Sequence, residues 1–114
     1  MIMRICTWAP TTFQGTQVVR RNVQPLAVPK GKELVHFTTE IVRRYEDLGV
    51  SDLLIAQRWW GNGEEIEGSS LDCLAMTTLF ASYTEKLKLI TAIHPGFFSP
   101  TTIAKWAATI DNLT

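Results

Sequence analysis

Apolar residues in this chain fall into two patterns that take turns. Short continuous runs occupy residues 3–8, residues 52–56 and a stretch that opens near Leu87 and reaches Ile93. Their near-unbroken apolar character is that of strands in a parallel sheet. Between and after these runs, apolar positions recur every three or four residues. Residues 32–48 carry Leu34, Phe37, Ile41, Tyr45 and Leu48 on one helical face and His36, Glu40, Arg43 and Asp47 on another, and Gly49 closes the helix as a left-handed cap. A second helix, with Ser69 and Ser70 available to cap it, shows Leu71, Leu74, Ala75, Leu79 and Tyr83 before ending at Tyr83 and Thr84. A third opens with Ser99 as N-cap and Pro100 in the first helical position, and puts Ile103, Trp106, Ala107, Ile110 and Leu113 on its buried side.

Strand followed by helix, three times over, predicts a parallel sheet with right-handed crossovers. Such a sheet needs helices over both faces, or closure into a barrel with helices outside. Three strands cannot close a barrel, and the apolar face of the last helix would pack against a following strand. The expected fold is α/β: the N-terminal three βα units of a (β/α)8 TIM barrel, parallel strands with helices outside, truncated. On this reading residues 1–114 are the N-terminal portion of a longer domain, and 114 residues provide one core and not two.

Charge narrows the range of partners. Eleven basic and eleven acidic residues leave no net charge, so no long-range field holds a polyanion or an anionic membrane, and neither nucleic acid nor a membrane is expected. Cys6 and Cys73 follow no metal or redox spacing and lie in apolar segments, as buried thiols in a reducing compartment would. The start of the chain lacks the charged and apolar regions of a secretion signal, and no run approaches about 18 apolar residues. The expected location is the cytoplasm.

Candidate chemistry gathers where strands end. The turn from His94 to Pro100 leads into a helix whose unpaired N–H groups face the mouth of the preceding strand, a place for an anionic or hydrogen-bonding ligand. The same pattern also serves any plain α/β connection. The second strand exits through Gln57, Arg58, Trp59, Trp60, Gly61, Asn62 and Gly63. Between residues 10 and 31 no period persists, and Gly15, Pro25, Pro29 and Gly31 punctuate a long loop, either a lid or a plain insertion. Arg20 and Arg21 there either clamp an anion or are simply solvated. His36 belongs to the wet face of the first helix and is not expected to be catalytic.

The segment Ile93-His94-Pro95-Gly96-Phe97-Phe98-Ser99-Pro100, with Ala107-Ala108-Thr109-Ile110-Asp111-Asn112-Leu113-Thr114 after it, resembles the third βα unit of the bacterial luciferase-like, flavin-dependent monooxygenases. It is most similar to the alkanesulfonate and dimethylsulfone monooxygenase branch, in which a Pro-started helix ends in a run of the type A-A-T-I-D-x-L-[ST]. Residues 52–58 look like that family's second strand and its exit, and Trp8-Ala9-Pro10 like the end of its first. The resemblance implies a two-component enzyme: FMN, arriving as FMNH2 from a separate NAD(P)H-dependent flavin reductase, would be used with O2 to oxygenate a small organosulfur compound. It further implies that Gln57, Arg58, Ala92 and Ile93 bind the cofactor. Trp8, Trp59 and His94 would line the substrate pocket, and no metal is expected. In luciferases the strand end at Ala92 and Ile93 carries a non-prolyl cis peptide. Ser70 stands near a Cys of the alkanesulfonate enzymes and is equally a helix cap. Trp59 and Trp60 suit a substrate pocket or a subunit contact.

The family's phosphate-binding loops come from later strands, so the chain is expected to be inactive by itself. The alternative is a non-catalytic remnant that folds by pairing with another copy or another subunit through its exposed strand edges and apolar helix faces; a homo-oligomer is expected. A further alternative is a deazaflavin-dependent reductase on the same barrel.

Overall fold

The computed structural model of the chain describes residues 3–13, 29–59 and 69–114. Three parallel strands form its centre: β1 (Cys6–Trp8), β3 (Asp52–Ile55) and β5 (Lys88–Thr91), side by side in that order. A two-stranded antiparallel ribbon joins β2 (Thr12–Phe13) to β4 (Ser69–Ser70). Helices α1 (Gly31–Asp47), α2 (Cys73–Ala81) and α3 (Pro100–Leu113) alternate with the central strands, and α2 packs on β3, β5 and both other helices. Parallel strands in chain order with a layer of helices beside them are consecutive units of a (β/α)8 barrel.

The register decides which side chains share a face. Trp8 pairs with Leu54 and Leu54 with Ile90, so these three lie in one row across the sheet. Leu53 and Ile55 alternate with them and are fully buried in a core with Val42, Cys73, Met76, Phe80 and Leu87. The row on the other side is open, with Trp8 at 63% and Ile90 at 44% exposure. Continuous apolar character in the strands thus corresponds here to one face covered by helices and one that is not.

Several helical faces differ from the predicted ones. In α1 the buried residues are Thr38, Thr39 and Val42, while Phe37 and Leu48 are exposed. The threonines are buried without penalty because each hydroxyl donates back to the turn before it, Thr38 Oγ1 to Leu34 O at 2.9 Å and Thr39 Oγ1 to Val35 O at 2.7 Å. In α2 the buried face is Cys73, Met76, Thr77 and Phe80, not the row through Leu71, Ala75 and Tyr83. Its sequence is apolar nearly all round, so spacing gives no preferred side. Cys6, expected to be buried, is exposed on β1, whereas Cys73 is buried. No residue of α3 is fully buried; Ile103, Trp106 and Ile110 are half-covered, and Trp106 Nε1 donates to Thr78 Oγ1 on α2 at 3.1 Å.

The caps divide in the same way. Gly49 takes φ +82°, its N–H bonds Glu46 O and the Val50 N–H bonds Tyr45 O, which is a Schellman ending to α1. Ser99 and Pro100 open α3 as expected, although the Ser99 hydroxyl makes no capping bond. The cap of α2 is Asp72, whose Oδ1 accepts from the Ala75 N–H at 2.7 Å; Ser69 and Ser70 are in β4 instead.

Candidate functional site

The C-terminal ends of the three parallel strands are fastened together by short backbone and side-chain bonds. The Ala9 N–H donates to Leu54 O at 2.8 Å and the Ala92 N–H to Ile55 O at 2.9 Å, carrying the ladder just past the strands. Buried Thr11 places its hydroxyl 3.4 Å from Ala56 O and accepts the Leu71 N–H on its carbonyl at 2.9 Å. Ser70 Oγ accepts the Arg58 N–H and lies 3.3 Å from Arg58 O, so the β2–β4 ribbon holds the exit of β3 from above. Residues spread over the whole chain therefore meet at one end of the sheet.

Of the residues expected to bind a cofactor, all four sit at this end but in different states. Gln57 is buried, at 7% exposure, and its Oε1 accepts the Cys73 N–H at 2.5 Å. Arg58 is exposed. Ala92 and Ile93 are half-buried at the exit of β5, where Ala92 O accepts a bond from Cys73 Sγ at 3.5 Å. No peptide bond among the described residues is cis. Burial pushes the Cys73 thiol up from its ordinary range, and the neighbouring Asp72 charge adds to this, so it remains an S–H donor at neutral pH.

The residues expected in a substrate pocket form two groups. Trp59 stacks on Phe97 with ring centroids 4.4 Å apart and lies 5.3 Å from Phe98, so an aromatic cluster bridges the β3 exit and the turn before α3. That turn is tight: the Phe97 N–H donates to His94 O at 3.3 Å, with Pro95 second and Gly96 at φ +94° third, the conformation a type II turn requires. His94 is half-buried at its start. Trp8 stands apart on the open sheet face with Leu54 and Ile90. Trp60, Arg20 and Arg21 lie outside the described residues.

A family model described as luciferase-like monooxygenase matches residues 3–114. The chain belongs to the luciferase-like monooxygenase family. For a luciferase-like barrel the C-terminal strand ends are the working face, and the aromatic cluster and the Gln57 amide are at that end. Grooves on the outside of the helices, lined by His36, Glu40, Arg43 and Tyr83, lie on a different side of the molecule. Arg43 is occupied there over the Tyr83 ring at 5.8 Å. Among the described residues no helix is long and apolar enough to cross a membrane, and no group of three or more His, Cys, Asp or Glu is arranged to hold a metal ion.

Spacing alone missed Thr11, Asp72 and Cys73. Asp72 was the most legible of them, an Asp directly before an apolar run. Thr11 and Cys73 carry no such signal, since their partners are 45 and 19 residues away.

Proposed function

We propose that this chain carries part of the flavin site of an FMNH2- and O2-dependent monooxygenase acting on a small organosulfur or related compound, with FMNH2 supplied by an NAD(P)H-dependent reductase. One observation carries the reading: Arg58, Ala92 and Ile93 come together at the C-terminal strand ends of a chain that matches the luciferase-like monooxygenase family. The residues present fit a flat, electron-rich heteroaromatic ring. Ala92 is small enough for a ring to approach the backbone, Ile93 offers apolar surface, and the cationic Arg58 complements negative charge. Reduced flavin supplies the electrons for oxygen chemistry when bound. The chain's own residues bind and orient it, and Trp59, Phe97 and Phe98 offer an aromatic flank on one side. Trp8 and His94 are the polar-tipped or aromatic groups left for a substrate.

Anaerobic titration of the chain with reduced FMN tests this directly. Saturable, stoichiometric binding that weakens in Arg58→Ala supports the reading; absence of any binding sinks it for this polypeptide. A second reading draws on the open sheet face, where Trp8 and Ile90 are exposed in one row with Leu54. Copies that associate through that face, in a homo-oligomer without flavin affinity, would fit it better. Sedimentation in the presence and absence of FMN separates the two.

A further inference from the structure

One residue of the chain bonds to two strand ends at once. Cys73 begins α2; its N–H goes to Gln57 Oε1 at the exit of β3, and its Sγ goes to Ala92 O at the exit of β5. The contact is sealed, with Cys73 at 0% and Gln57 at 7% exposure. It is also braced from below, because Thr77 Oγ1 lies 2.8 Å from Cys73 O and 2.7 Å from Thr91 Oγ1, the last residue of β5. The first N–H of a helix has no partner within its own helix, so it needs an acceptor from elsewhere. Only the oxygen of the Gln57 amide can serve, which fixes the orientation of the whole amide group. The amide NH2 makes no hydrogen bond to a described residue.

We propose that Gln57 and Cys73 form a buried clamp that sets the ends of β3 and β5 against each other, and that Gln57 serves the site as a positioning residue through its carbonyl oxygen. Its influence on a ligand passes through the placement of Arg58 and Ala92, one step along each strand. The geometry of the clamp is independent of the flavin reading; only its consequence for binding rests on that reading. A buried oxygen that caps a helix is required wherever the helix stands, whereas a side chain that donates to a ligand is required only when the ligand arrives. The two roles therefore respond differently to a carboxylate, which keeps the acceptor and removes the donor.

Amide hydrogen exchange and FMN titration on the full chain, in Gln57→Leu and Gln57→Glu, test this. In the unsubstituted chain the Cys73 amide is protected. Gln57→Leu raises its exchange at least about tenfold and weakens FMN binding about tenfold, with the far-UV circular dichroism of the folded fraction unchanged. Gln57→Glu rescues both to within about threefold. Two results overturn the clamp: an unprotected Cys73 amide in the unsubstituted chain, or a loss of FMN affinity in Gln57→Glu as large as in Gln57→Leu, which would make the amide NH2 a ligand contact. If the unsubstituted chain binds no FMN, the flavin reading fails while the exchange measurement still decides the clamp. Should Gln57→Leu not fold, Cys73→Ala supplies the second variant, in which a freed Ala92 carbonyl shifts on binding and FMN affinity falls.

Discussion

The two ends of the parallel sheet are built from different chemistry. At the N-terminal end, charges are paired and capped. Arg4 grips Asp52 with both arms of its guanidinium, Nε to Oδ2 at 2.9 Å and Nη2 to Oδ1, while Ser51 Oγ donates to Oδ2 at 2.6 Å. Glu46, near the end of α1, accepts the backbone N–H groups of Glu85, Lys86 and Leu87 on a single oxygen. At the C-terminal end the close contacts are an aromatic stack and the Gln57 amide, with Arg58 exposed beside them. The first end spends its polar groups on itself, and the second leaves apolar and aromatic surface facing outward. That is the division of labour of a (β/α) barrel, stability at one rim and chemistry at the other.

Breaking the centre should abolish the distinction, which gives the largest expected effect. Leu53 lies between the two ends and is fully buried. Leu53→Ala should cost about 3–4 kcal/mol by removing transfer energy and leaving a cavity, and a denaturant titration should show both ends lost in one transition. A lesser loss confined to one end would show that they are not cooperative.

Glu46→Ala comes next and sharpens the comparison. It leaves three backbone N–H groups without their shared acceptor, for a loss of about 2 kcal/mol, moderated because solvent reaches the carboxylate. FMN affinity per folded molecule should not change. The pH dependence has a definite sign. Partial burial pushes the Glu46 carboxyl up, but the three N–H bonds and the Lys86 charge outweigh it and leave the pKa lowered; the Ser51 hydroxyl and then Arg4 lower Asp52. Both carboxyls thus bind a proton less readily folded than unfolded. Their stabilisation is complete at neutral pH and is lost as pH falls below about 4, through their folded-state values. A flat stability profile in Glu46→Ala across that range, beside a sloping one in the unsubstituted chain, would attribute the slope mainly to this residue.

At the other rim, Trp59→Ala should weaken FMN binding about tenfold while costing less than about 1 kcal/mol of stability, since it unstacks Phe97 at the surface. The reverse pattern would make the cluster a structural element. Smallest is Gly49→Ala. Nothing stands within 4 Å of the added methyl, so the cost is only that of a left-handed backbone, about 1 kcal/mol. Thermal melting should register it with no change in FMN affinity.

What could be read in the sequence was what depends on neighbours along the chain. The order of strands and helices, the Gly49 ending and the Ser99–Pro100 opening are local decisions, made by backbone freedom and by hydrogen bonds spanning a few residues. Which face of α1 and α2 turns inward was not local. Thr38 and Thr77 look polar, but hydroxyls satisfied inside their own helices let them be buried, and a helix apolar nearly all round such as α2 carries no directional signal. The β2–β4 ribbon and the acceptor role of Glu46 also came only with the tertiary fold, because each joins segments roughly forty to sixty residues apart.

The candidate site divides along the same line. The chain order alone placed Gln57, Arg58, Ala92 and Ile93 at strand exits, since every exit of a parallel strand opens on one rim. Only the packed structure showed that Gln57 turns its oxygen to α2 and that Trp59 lies on Phe97. A pattern along the chain fixes where an element starts and stops, because its cause is a dihedral or a bond to a near neighbour. The partner of a buried side chain is selected by shape and by unsatisfied donors from distant elements, and those exist only once the elements have met.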